Sequence, residues 1–180
     1  MFKQGFDGNG WRVRSTMLAV SAVVLLALYA DPLRAQSPAA PVIGQGPGYH
    51  DPRSPFKPLQ EHEGILAWQL LSSVTTKADK NRLIPTFPPQ VQALDRQKVK
   101  VQGFMMPLEP GDKQRHFLLS SVPTTCSFCV PAGPEGLIEV RAKNPVRYTL
   151  EPVVVEGQLA VLNDDPYGMY YRVTDALQAN

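Results

Sequence analysis

A chain of 180 residues with 18 Lys plus Arg, 16 Asp plus Glu, 18 Pro and only 2 Cys suits one domain with a real hydrophobic core and no need of disulfide staples. Lys3, Arg12, Arg14 and Arg34 oppose Asp7 and Asp31 within residues 1–35, so that segment carries the whole net +2 and 14 side chains of each sign remain in 36–180. A neutral body argues against nucleic acid or an anionic membrane as main partner, because phosphate binding needs clustered, uncompensated cations.

Residues 1–35 read as an export signal: a basic stretch with Arg12 and Arg14, an uncharged run from Met17 to Ala30, then Asp31-Pro32. The run is shorter than the roughly 20 apolar residues that span a bilayer, which favours a signal-peptide core and a periplasmic destination. Leu-Tyr-Ala30 and Leu-Arg-Ala35 both place Leu at the third-last position before a cut, where a small residue is wanted, so an uncleaved inner-membrane anchor is the alternative. Membrane contact is expected only through this leader. No Cys follows the run, so the usual lipoprotein cysteine is missing.

Residues 36–59 hold Pro38, Pro41, Pro47, Pro52, Pro55 and Pro58 with Gly44, Gly46 and Gly48. With almost no apolar periodicity, this stretch reads as a flexible or polyproline-like tether. The folded domain is expected over 60–180. Apolar residues at 65, 66, 68, 70, 71 and 74 predict a short amphipathic helix over Gly64–Val74, docked through Trp68 and Leu71. Residues 75–84 are polar, and Pro85, Pro88 and Pro89 then call for an extended connection.

Beyond Asp95 the pattern becomes one of short apolar or alternating runs. Lys98–Leu108, Arg115–Val122, Gly136–Ala142, Val146–Leu150, Val153–Leu162 and Tyr170–Val173 read as strands, with turn formers between them. A mainly β fold follows: a small curved antiparallel sheet or a five-stranded barrel of the oligonucleotide/oligosaccharide-binding (OB) type, with one short helix before it. Gly103 and Gly157 fall inside strand patterns, where a missing side chain marks a bulge or sharp bend.

The only cysteines lie three apart, in Val122-Pro-Thr-Thr-Cys126-Ser-Phe-Cys129-Val-Pro-Ala-Gly-Pro-Glu-Gly136. In an exported protein this loop admits a soft-metal clamp, a thiol/disulfide couple or an oxidised structural pair. Thiol exchange normally uses a cysteine at a helix amino terminus, and the segment after Cys129 is hostile to a helix. Zinc wants four ligands, and only His50, His62 and His116 could join the sulfurs; His116 is best placed, because its strand leads into the loop. Copper(I) accepts fewer, softer ligands, so Met105 or Met106 could contribute. The plainer readings are Met as core filler, only one of two adjacent strand residues facing the loop, and a Cys126–Cys129 disulfide of modest entropic value.

Other chemistry is sparse. Asp164-Asp165 before Pro166 reads as a solvated turn. Ser120, Ser121 and Ser127 have no nucleophile motif, and no phosphate-binding glycine loop is present. Phe104, Phe117, Phe128, Tyr148, Tyr167, Tyr170 and Tyr171 could build a stacking platform, but without a net basic surface they read more simply as core and rim.

Several segments together carry a resemblance: Trp68-x-x-Leu71, Val99-x-Val-x-Gly-Phe-Met-Met-Pro-Leu-Glu109, Phe117-Leu-Leu-Ser120 before the cysteine loop, Val153-x-Val-x-Gly-x-Leu159 and Tyr171-Arg-Val-x-Asp-Ala176. Over about the last two-thirds of its length the chain resembles an exported bacterial family of uncharacterised function. In one branch of that family the loop reads Cys-Ile-His, which puts a His at Phe128. Imidazole can replace thiolate on a metal but not in an S–S bond, so the resemblance favours the metal reading.

The first expectation is therefore a non-enzymatic accessory protein of an envelope or transport system. It would bind copper(I) or zinc through Cys126 and Cys129, helped by Met105, Met106 or His116. The others are a periplasmic thiol/disulfide exchanger and a plain interaction module with a structural Cys pair.

Overall fold

The computed structural model describes residues 48–79 and 82–179. The expected leader and the first half of the expected tether lie outside them. In chain order the elements are a one-turn helix α1 (Trp68–Leu71), strands β1 (Thr75–Asp79) and β2 (Arg82–Thr86), a one-turn helix α2 (Pro89–Gln92), and strands β3 (Lys98–Pro107), β4 (Lys113–Ser120), β5 (Leu137–Arg147), β6 (Val153–Val161) and β7 (Tyr171–Ala179).

Strands β3 to β7 close a barrel in the order β3-β4-β5-β7-β6, with β6 returning to β3. All neighbours are antiparallel except β5 and β7, which run parallel. Counted within the barrel this is 1-2-3-5-4, the five-stranded Greek-key arrangement of an OB barrel. The expected fold class stands.

The two glycines in strand patterns act as expected. Strand β3 pairs with β6 up to Gly103 and with β4 from Phe104 onward, so Gly103 is the corner at which the strand changes partner. A Cβ there would lie 3.0 Å from Leu119 Cβ and 3.1 Å from the Ser120 carbonyl oxygen. Gly157 sits at a bulge in the β6–β7 ladder, against Val173 and the backbone of Thr174.

Inward-facing residues alternate along the strands and fill the barrel: Val101, Met105, Phe117, Leu119, Ile138, Val140, Val155, Leu159, Tyr171 and Val173. Leu71, Phe87 and Val91 join this core from the preceding segment. Tyr171 ties the two together by donating its hydroxyl to the Leu71 carbonyl at 2.6 Å, and burial pushes that phenol upward from its ordinary pKa.

Four expectations are corrected. The helix is only Trp68–Leu71, because Gly64 has φ +80° and the Leu66 N–H is drawn onto the Lys100 carbonyl beside β3. Residues 75–86, read as polar and extended, contain the β1–β2 hairpin, and Pro89 opens α2, where its fixed φ and missing N–H are harmless. The two runs around Asn144-Pro145 are one strand. Pro145 falls in a bulge between the Arg141 and Val146 pairings, where the ladder asks for no N–H. Strand β7 runs to Ala179, since pairing with β6 along its length, and with β5 as far as Ala176, overrides the weak strand propensity of Asp175–Ala179.

Candidate functional site

Gly48–Leu59, the described half of the proline-rich stretch, is laid across the barrel as a strap, which corrects the tether reading for these residues. The Gly48 N–H donates to Val130 and Pro131 carbonyls at 3.2 Å, and the Val130 N–H donates to the Tyr49 carbonyl at 3.0 Å. The strap is thereby joined to the chain just after Cys129. Asp51, almost wholly buried, accepts the backbone N–H and two guanidinium N–H groups of Arg53. Those bonds, with the guanidinium charge, hold its carboxyl down from an ordinary 3.8 to about 2. Arg53 in turn lies 4.8 Å over the Phe128 ring.

Beneath the strap, Phe104 faces outward from the barrel, because its neighbour Met105 faces in. It is nevertheless only 3% exposed, since His50 and the edge-on Phe56 ring cover it, with ring centroids 6.4 and 6.3 Å away. Phe104, grouped in the sequence with core and rim aromatics, is thus the seat of the strap.

Cys126 and Cys129 are joined by a disulfide with their Cα atoms 5.4 Å apart. The Cys129 N–H donates to the Cys126 carbonyl within the same turn. Cys126 is buried and Cys129 half-buried, the reverse of the exposed leading cysteine that thiol exchange uses, and neither begins a helix.

The other candidate ligands are placed by strands β3 and β4. Met105 packs in the core. Met106 and His116 share the outer face of β3–β4 at diagonal positions of the register, with roughly 7 Å between such Cβ atoms. His116 precedes the end of β4 by four residues, about 13 Å of strand from the base of the cysteine loop. Among the described residues, no group of three or more His, Cys, Asp and Glu side chains is arranged to hold a metal ion.

His116 belongs instead to a polar cluster on the outside of β4, β5 and β7. Glu139, 8% exposed at its side chain, meets His116 Nε2 at 2.8 Å, Arg141 Nε at 3.0 Å and Arg172 Nε at 2.5 Å. Burial pushes its carboxyl up, and the hydrogen bonds from Arg172, His116 and Arg141 more than reverse this, leaving it below its ordinary value. Arg172 also reaches Asp165 at 3.0 Å. Asp165 is therefore no solvated turn residue: its other oxygen accepts the Tyr167 and Met169 N–H groups and shapes the β6–β7 connection.

The same outer face carries an excess of cations. Lys113 and Arg147 stand directly opposite each other across β4 and β5, and Arg115 is exposed in the neighbouring bulge, where the Glu109 carboxylate accepts the Arg115 and His116 N–H groups at 3.0 and 3.2 Å. Neutrality of the whole body thus conceals a like-charged pair set face to face. Sequence patterning gave no sign of it, because the cations come from both strands of a long-range pair.

A second feature had no sequence signal. A cleft of about 480 Å³ opens between the strap, the Pro58–Gln69 segment and β3, lined by His50, Glu61, Glu63, Leu66, Trp68 and Gln102 among others. The Trp68 indole N–H donates to the Gln102 carbonyl at 2.8 Å and fixes one wall.

No curated protein matches the chain. A solved structure of a DUF3299 family protein from Pseudomonas aeruginosa PAO1 is similar at 24% identity and a TM-score of 0.41, covering 49% of this chain and 64% of that one. The chain thus spans less than two thirds of that protein's length. Residues 57–170, from the cleft wall through the β6–β7 connection, match the family described as "Protein of unknown function (DUF3299)", and the chain belongs to that family.

Proposed function

We propose that the protein is an exported, non-enzymatic binding domain of the bacterial cell envelope, in which the Cys126–Cys129 disulfide locks the strap onto the barrel. The observation that carries this reading is the reciprocal backbone pairing of Gly48–Tyr49 with Val130–Pro131, immediately beyond the disulfide-closed turn. The cross-link shortens the loop that must be ordered for the pairing to form. Export rests on the leader pattern of residues 1–35.

The partner surface is the outer face of β4–β5. A like-charged pair directly opposite across two strands costs stability, and Lys113 facing Arg147 beside Arg115 is such an arrangement. An envelope or transporter protein with an acidic surface would relieve it. The test is a photo-crosslinking amino acid placed in cells at Arg147 or, as a control, at the exposed Leu83 on the β1–β2 hairpin. A discrete adduct from position 147, absent from position 83 and lost on Lys113→Glu, is the expected result; equal adducts from both positions, or none from either, would sink the proposal.

Soft-metal handling is the second reading, favoured by two sulfurs held in one turn. Reduction would leave a chelating thiolate pair. Its check is native mass spectrometry of the reduced chain with zinc or copper(I): one ion per chain, abolished by Cys126→Ser, supports it, and an unchanged stoichiometry in that variant removes it.

A further inference from the structure

Inside the strap cleft, hydrogen-bonding capacity is unbalanced in one direction. His50 Nε2 lies 2.9 Å from the Phe56 carbonyl oxygen. A carbonyl only accepts, so Nε2 carries a proton, and in the tautomer with that single proton Nδ1 is a bare acceptor. That Nδ1 and the Gln102 side-chain oxygen are buried and, among the described residues, without a hydrogen-bond partner. The Trp68 indole N–H goes to the Gln102 carbonyl, the Ile65 N–H to His62 and the Leu66 N–H to Lys100, and no donor among the described residues meets either acceptor.

Buried acceptors are ordinarily satisfied, and each unsatisfied one retains a desolvation cost that a donating ligand recovers. The electrostatics point the same way, since among the described residues the cleft is lined by the carboxylates of Glu61 and Glu63, by His50 and His62, and by no Lys or Arg. Leu66 and Trp68 add apolar wall, and the volume is that of a small-molecule site.

We propose that this cleft binds a small organic amine, its ammonium N–H groups donating to His50 Nδ1 and Gln102 Oε1 and its apolar body lying along Trp68 and Leu66. This names a ligand class for a separate site of the same binding domain. It does not depend on the β4–β5 face or on the disulfide, so the crosslinking result leaves it standing or falling alone. The broad last torsion of the Gln102 amide lets its oxygen turn into the cleft as the ligand enters.

The test is a titration of the ¹⁵N-labelled full chain with hexylamine hydrochloride, hexanol and sodium hexanoate, following the Trp68 indole and Gln102 backbone signals. Saturable shifts with hexylamine alone are expected. His50→Phe and Gln102→Leu should each weaken them about tenfold, as loss of a hydrogen bond to a charged donor does. Glu61→Gln together with Glu63→Gln should weaken them only about two- to threefold, with reduced salt dependence. Should His50→Phe fail to fold, Gln102→Leu decides alone. Equal shifts with hexanol or hexanoate, no saturation by about 10 mM hexylamine at an affinity that weak sites still reach, or unchanged hexylamine binding in Gln102→Leu would each overturn the proposal. So would zinc chloride moving the same signals while hexylamine leaves them unmoved.

Discussion

Two polar regions flank this barrel, and they are organised in opposite ways. Around Glu139 every charge is answered: three donors converge on one carboxylate, and Arg172 passes the connection on to Asp165. Under the strap, His50 Nδ1 and Gln102 Oε1 are shielded from water and answered by nothing among the described residues. A closed network fixes the register of β5 against β4 and β7 and has nothing left to offer. An incomplete one retains a cost that only a binder can recover. The difference separates a structural polar cluster from a receptive one, even though both contain a histidine.

The sharpest way to break that contrast is Glu139→Ala. It takes from the Arg172 guanidinium, only 21% exposed at its side chain, its Nε partner and leaves it Asp165 alone, and the cost is expected at about 2–3 kcal/mol by urea denaturation, as for loss of charge-assisted hydrogen bonds in a largely buried cluster. A loss under about 1 kcal/mol would mean that the cluster is solvated and dispensable. The double change Cys126→Ala with Cys129→Ala should cost less, about 1–2 kcal/mol for so short a closed loop. Its larger signature is local: hydrogen exchange at Gly48 and Val130 should quicken while the β5–β7 amides stay protected.

Acid should act on both regions in the same direction. The Asp51 carboxyl is lowered from 3.8 to about 2, so its contribution is complete above about pH 4 and is lost as pH falls toward 2. Glu139, also lowered, loses its contribution as pH falls below its ordinary 4.5. An NMR acid titration should therefore show the Asp51–Arg53 bonds persisting to about pH 2–3; their loss above pH 4 would contradict the arrangement drawn for the strap. The smallest effect is predicted for Gln102→Leu. Removing an unpartnered acceptor should leave unfolding stability within about 0.5 kcal/mol of wild type or raise it slightly, and a loss above about 1.5 kcal/mol would show that Gln102 has a structural partner after all.

The barrel was legible because its signals are local. Alternation in Val99–Met105 and Val153–Leu159 marks strands whichever partners they find, and Gly103 and Gly157 mark corners because no side chain fits there. The strap was illegible for the opposite reason. Its prolines and glycines carry no periodicity, and what holds it is Phe104, which sequence pattern cannot distinguish from a core residue, together with backbone bonds to Val130 and Pro131 some 80 positions away. His116 was picked out for a metal from its place along the chain, yet the residue that claims its ring is Glu139, brought beside it only by the β4–β5 register.

By itself the sequence determined the strand periods, the two glycine corners, a cysteine pair close enough to bond and a body without net charge. Each of these follows from residue type and near-neighbour spacing. Tertiary structure alone decided which face gathers the cations, which carboxylate holds His116, and that two acceptors end beside the strap cleft with no hydrogen-bond partner among the described residues. Those outcomes depend on pairings between residues far apart in the chain, and such pairings are set by closure of the barrel and not by any local preference.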